Sequence, residues 1–171
     1  DLCDKARMRL RLALFVLVTS CATTPPPITA ARPGLERFGN QVDWAKAGDE
    51  TAQVLAGYLQ TDTINPPGNE TRGAEYLAAV LKKDGIDAEL VEFAPGRSNL
   101  IARLPATGAP KDKPVCLLSH IDVVPAEADQ WPKETGPLSG AIDANGDVWG
   151  RGALDMKGMG AIEALTLVWL K

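Results

Sequence analysis

Between positions 49 and 59 the apolar residues fall at Ala52, Leu55, Tyr58 and Leu59. That three- and four-residue spacing marks one face of a helix. Asp49 is the candidate cap at its start. The run Thr63-Ile64-Asn65-Pro66-Pro67-Gly68-Asn69-Glu70 interrupts the pattern, because two prolines and a glycine do not continue a helix. Helical spacing resumes over 71–84 with Ala74, Leu77, Ala78 and Leu81 inward, and Gly85 stands where such a helix stops. Positions 88–93 alternate like a strand, 99–104 make another, and 106–113 read as an exposed turn. Val115-Cys116-Leu117-Leu118 is continuously apolar and predicts a buried strand ending at Ser119. Asp143-Ala144-Asn145-Gly146-Asp147 carries the Asn-Gly hairpin signal between Ala141-Ile142 and Val148-Trp149. Met159, Ile162, Leu165 and Trp169 predict a last helix.

Helices alternating with mostly apolar strands predict an α/β fold, with helices on both faces of a mixed, partly parallel sheet. The sequence stops at Lys171 inside the last predicted helix, whose apolar face would then lack a following layer. The expectation is therefore a fold incomplete at its C-terminus.

The first 21 residues read differently. Met8-Arg9-Leu10-Arg11 is a short positive region, 12–18 is apolar, and Thr19-Ser20-Cys21 supplies small residues. This is the layout of an export signal starting at Met8, and its apolar run is shorter than the roughly 20 residues a membrane span needs. The ending Val18-Thr19-Ser20-Cys21 resembles a bacterial lipobox, with Cys21 lipidated; a plain secretory signal with an incidental cysteine is the other reading. Residues 1–7 have no role under either. Residues 22–45, Thr/Pro/Ala-rich at the start, read as a tether, which leaves 46–171 as the catalytic-type domain. The expected location is the bacterial periplasm or cell envelope, with the membrane reached only through the lipid anchor.

Composition narrows the function. A net charge of −4, few aromatics and no long basic run speak against a nucleic-acid partner. Cys3, Cys21 and Cys116 have neither zinc-finger nor redox spacing, and no structural disulfide is expected.

His120 is the one histidine of the chain. Alternation past the 115–118 strand puts His120 and Asp122 on one side, and Asp155 lies in a glycine-rich turn before the last helix. An imidazole oriented by one carboxylate and joined by another begins a divalent metal site. For Asp122 a turn-capping role before Val123-Val124-Pro125 is compatible with holding the imidazole. Gly150-Arg151-Gly152 is no phosphate loop: no GK[ST] follows, and Asp155 would repel a pyrophosphate. Lys157 reads either as a substrate contact or as an exposed first-turn lysine.

These segments, SHIDVVPAE, Trp131, GDVWGRGALDMKGMGA, TINPPGNE and APGRSNLIARL, resemble the co-catalytic zinc aminoacylases and exopeptidases. That group includes acetylornithine deacetylase, succinyl-diaminopimelate desuccinylase, aminoacylase, and glutamate and dipeptide carboxypeptidases. The resemblance spans 49–171 and implies that His120 ligates one zinc, Asp155 bridges two, and Asp122 is the active-site carboxylate behind His120. Ser119 departs from the usual glycine. The resemblance further implies Zn2+ as cofactor, two ions in the full-length enzyme, with Co2+ or Mn2+ as substitutes. It implies a small N-acyl amino acid or peptide substrate and a lid domain that often dimerises. The family's Glu-Glu pair, its further acidic ligand, its second histidine and the lid have no match among these residues. The expectation is the N-terminal part of a longer hydrolase, inactive by itself. The competing expectation is a non-catalytic surface lipoprotein or inactive remnant of the same fold.

Overall fold

The computed structural model describes residues 42–171; the export signal, Cys21 and the tether up to residue 41 lie outside them. Helix α1 runs Trp44–Leu59, five residues earlier than the apolar spacing alone predicts and two residues inside the expected tether. Its cap is Asp43, not Asp49: the Asp43 carboxylate accepts the Lys46 N–H at 3.1 Å. Capping satisfies a backbone donor that the helix itself leaves unpaired, which outweighs where the apolar stripe begins.

Helix α2, Glu70–Lys83, matches its prediction to within a residue. Gly85 takes the left-handed conformation (φ +63°). Its N–H donates to Lys82 O at 2.9 Å, and Ile86 N–H donates to Leu81 O at 3.0 Å, the doubly bonded closure that glycine permits. Leu81 and Ile86 then share the core. The Lys171 ammonium also donates to the carbonyls of Asp84 and Gly85, at 2.7 and 2.6 Å.

Strands β1 (Ala88–Ala94) and β2 (Arg97–Ala102) form an antiparallel hairpin in the register Ala88↔Ala102 to Glu92↔Ser98. Strands β3 (Ala141–Ile142) and β4 (Val148–Trp149) form a second, joined by the predicted Asn-Gly turn. Helix α3 spans Gly158–Leu170. The core is the space between the helices and the first hairpin. Tyr58 of α1, Leu77 and Leu81 of α2, Ile86 and Ala164 of α3 are buried there, with Leu100 and Ala102 packed against them. Tyr58 and Tyr76 stack with centroids 5.8 Å apart, and the Tyr76 hydroxyl donates to Val54 O at 2.9 Å.

The sheet departs from expectation. Both hairpins are antiparallel, and parallel pairing among the described residues is confined to the bridge Ile64↔Val123. The 115–118 segment forms no strand, and Val115 and Leu118 are 85% and 83% exposed. A continuous apolar run becomes a buried strand only when neighbours bond both its edges and cover both its faces. Among the described residues none does. Backbone pairing with 63–65 begins at residues 121–123.

Candidate metal-binding cleft

The bridge that fails to extend into a sheet nevertheless places the candidate site. Asn65 N–H donates to Val123 O at 2.9 Å and Val123 N–H to Thr63 O at 3.1 Å. The fully buried Thr63 adds a hydroxyl bond to Ile121 O at 2.9 Å. Residues 121–123 are thereby held between the breaker motif and α2, whose Gly73 lies against Ile121 with no room for a Cβ. His120 leaves this anchored segment at the edge of a cleft.

The second wall is the loop carrying Asp155. Gly150 packs on Leu59, and Gly152 sits at φ +89°, where a Cβ would come within 2.5 Å of Val123 Cγ1. Glycine is required there twice over, by backbone conformation and by space. The loop closes through Lys157. That residue is fully buried, and its ammonium donates to Tyr58 O at 2.9 Å, Thr61 O at 2.7 Å and Thr61 Oγ1 at 3.1 Å. Both sequence readings of Lys157 are thus corrected: it is neither exposed nor lining the cleft. It caps the C-terminal end of α1, where a cation meets the last carbonyls favourably. Burial pushes its pKa down to about 8.

Together these walls enclose a cleft of about 700 Å³ lined by His120, Asp122, Trp131, Arg151 and Asp155. All three candidate site residues come together in it. His120 Nε2 lies 2.9 Å from Asp155 Oδ1, although the two are 35 residues apart in the chain. On the other ring nitrogen, Nδ1 lies 2.9 Å from the Asp122 carbonyl and 3.2 Å from Asp122 Oδ1. Every one of these partners is an acceptor, so a proton on either nitrogen finds one. The hydrogen bond to Asp155 raises the His120 pKa above its ordinary value; partial burial opposes this, and Asp122 adds to it. The imidazole lies between two aspartates.

The donor chemistry suits a divalent ion. Zinc takes imidazole nitrogen and carboxylate oxygen at about 2.0–2.2 Å, which in a tetrahedral site sets two such atoms about 3.4 Å apart. Asp155, with a side chain 90% exposed, has the freedom to open by that small amount. The donor number is short: among the described residues no group of three His, Cys, Asp or Glu side chains converges on one point.

Several contributors were not visible in the sequence. Asn65 donates through its side-chain amide to Asp122 Oδ2 at 2.9 Å. Ser119, the departure from glycine, donates to Glu163 Oε2 at 2.7 Å and ties the segment before His120 to α3. The Arg151 guanidinium lies over the Trp131 ring at 5.8 Å. Each contact joins residues at least 20 apart in the chain, beyond the reach of local spacing.

A histidine nitrogen and a carboxylate face each other across a glycine loop, and sequence comparison finds similar proteins. The Peptidase family M20/M25/M40 profile matches residues 116–171. Residues 116–171 are thus similar to that family. Aminoacylase-1 of Sus scrofa is 33% identical over 100 residues, covering 58% of this chain and 24% of that protein. Succinyl-diaminopimelate desuccinylase of Wolbachia pipientis wMel is 39% identical over 110 residues, 63% of this chain and 25% of that protein. A probable succinyl-diaminopimelate desuccinylase of Staphylococcus epidermidis is 32% identical over 120 residues, covering 70% and 27% respectively. The chain spans about a quarter of the length of these curated relatives.

Proposed function

We propose that the protein, in its full-length form, is a zinc-dependent hydrolase of amide or peptide bonds, acting on a small N-acyl amino acid or peptide. The observation that carries this reading is the 2.9 Å approach of His120 Nε2 to Asp155 Oδ1 within the cleft. The names of the relatives, aminoacylase and desuccinylase, favour it over a non-catalytic role.

His120 and Asp155 would hold the ion, with Asp122 behind the imidazole. A bound zinc supplies Lewis acidity, polarising an amide carbonyl and acidifying water. The chain's own residues prepare for it. Asp122 bonds Nδ1 and so directs Nε2 into the cleft as the ligating nitrogen. Gly152 lets the backbone pass close to Val123 on the way to Asp155, and Trp131 and Arg151 line the same cleft. The second zinc, the general base, the acyl specificity and a dimerising lid belong to this proposal and not to the described residues.

The test is hydrolysis of N-acetyl and N-succinyl amino acids and of dipeptides by the full-length protein, with zinc and after chelation. Chelator-sensitive turnover that His120→Ala abolishes is the expected result. Turnover indifferent to both would sink the reading. Export and lipidation at Cys21 are proposed on the sequence pattern alone: Cys21→Ser should move the mature protein from the membrane to the soluble fraction.

A further inference from the structure

We infer that Ser119 and Glu163 are positioning residues for the candidate site: the bond between their side chains fixes to α3 the backbone from which His120 projects. The inference rests on the reading of His120 as a metal ligand. The Ser119 hydroxyl donates to Glu163 Oε2 at 2.7 Å, across 44 residues of chain. Both residues are half-buried, and a hydroxyl on a carboxylate at that length is among the stronger kinds of hydrogen bond.

His120 needs holding on that side. The residues after it are tied down: Val123 exchanges backbone bonds with Thr63 and Asn65, and the Thr63 hydroxyl bonds Ile121 O. The residues before it are not. Among the described residues the backbone of 115–120 bonds no other backbone, and 115–118 forms no strand. Apart from the His120 ring itself, the Ser119–Glu163 bond is the polar tie between this stretch and the elements around it. Helix α3 is shaped to receive it. Gly160 and Glu163 are three residues apart and so share a helix face. A Cβ at Gly160 would stand 3.2 Å from Ser119 Oγ, closer than ordinary contact. The missing side chain at 160 leaves room for the hydroxyl, and the carboxylate nearly one turn on accepts from it. A glycine at 119 would offer Glu163 no donor, so the serine that departs from the resemblance has its partner on the helix. A ligand whose backbone is held on both sides loses less freedom when an ion arrives, which strengthens binding.

The experiment measures zinc uptake by the full-length protein in competition with a chromophoric chelator. The His120 site is the part of that uptake which His120→Ala removes. Ser119→Ala deletes the donor and Glu163→Leu the acceptor. Each should weaken zinc at that site about tenfold, the low end of what losing a ligand-orienting residue does. The double variant should be no weaker than either alone, because all three lose the same bond. Glu163→Gln keeps an oxygen that accepts the hydroxyl and should restore most of the affinity. Ser119→Ala decides alone if Glu163→Leu does not fold. A Ser119→Ala protein that melts earlier but takes up zinc like the parent shows a strut of the fold only and overturns the inference, as do two losses that add. Zinc uptake that His120→Ala leaves unchanged rejects ligation itself and takes the inference with it. The two failures are told apart by which variant is silent.

Discussion

Lys157 and Tyr58 meet at two points: the ammonium donates to the Tyr58 carbonyl at 2.9 Å and lies 4.8 Å from the centre of its ring. The same nitrogen bonds Thr61, so one side chain ties the loop of the candidate site to the end of α1. Lys157→Met keeps the aliphatic stem and removes the donor to Thr61 O, while Tyr58 O keeps the Thr61 N–H and hydroxyl. One group left unpaired costs about 1–3 kcal/mol, so urea denaturation should show a loss of roughly 2 kcal/mol. The pH dependence has a definite sign. The folded-state pKa, about 8, lies below the ordinary 10.5. Between these values the unfolded chain keeps a proton that the folded chain has shed, so this group's contribution to stability grows as pH rises through that window.

His120 behaves in the opposite sense. Its pKa is raised in the folded protein, chiefly by the bond to Asp155. Its stabilising contribution is complete below the ordinary histidine value and fades as pH rises through the raised one. Both partners are solvent-exposed, so the effect on stability is small. It is clearer in zinc uptake, where the ion must displace the Nε2 proton. Calorimetry should show affinity increasing with pH until the raised pKa is passed, with proton release on binding. His120→Ala should remove both.

Arg97 holds Glu70 by three short contacts, the nearest 2.6 Å, and Glu70 is buried. This pair joins the first turn of α2 to β2. Arg97→Met leaves a buried carboxylate without its counter-charge and should lower the urea midpoint. Adding Glu70→Gln should recover much of that loss, because the uncompensated charge goes with it. Two equal, additive losses in denaturation would contradict this account.

Gly152→Ala should damage the cleft from a distance. The substitution forces a side chain onto a residue at φ +89° and against Val123, at about 1–2 kcal/mol for the backbone alone. Thermal melting should fall, and zinc binding should weaken because Asp155 is displaced relative to His120. A variant with parental zinc affinity would show that the loop has other ways to reach the site.

The 171-residue chain by itself should show no zinc-dependent hydrolysis of N-acyl amino acids or dipeptides. It has one histidine, and no third ligand joins His120 and Asp155 among the described residues. Losing even one acid–base group typically removes about 10²–10⁴ in rate. Substantial turnover at this length would mean that the chain completes its site in another way.

What the sequence revealed follows the range over which each feature is decided. Helix α2 and its Gly85 closure were legible because spacing and stop signal lie within five residues of the bonds they make. The β3–β4 turn was legible for the same reason. His120, Asp122 and Asp155 were singled out through their chemistry, the first two just past an apolar run and the third in a glycine-rich turn. Lys157 was misread because its acceptors lie 96 and 99 residues away, and a lysine in a first turn looks the same from outside whether it points out or in. Asn65 sat in plain view inside a breaker motif, where proline and glycine explain the local backbone and hide a side chain working 57 residues off. The 115–118 run was read as buried because apolar continuity describes what a strand wants, not whether a neighbour is there to supply it.

That last segment has a practical consequence. Val115 and Leu118 stand exposed in a segment with no strand pairing, and apolar surface beside unpaired backbone is the combination on which chains stick to one another. Preparations of this chain should scatter more light as they are concentrated, and their amides at 115–118 should exchange with deuterium early. Leu118→Lys, placing a charge on that margin, should quiet the scattering without touching the cleft.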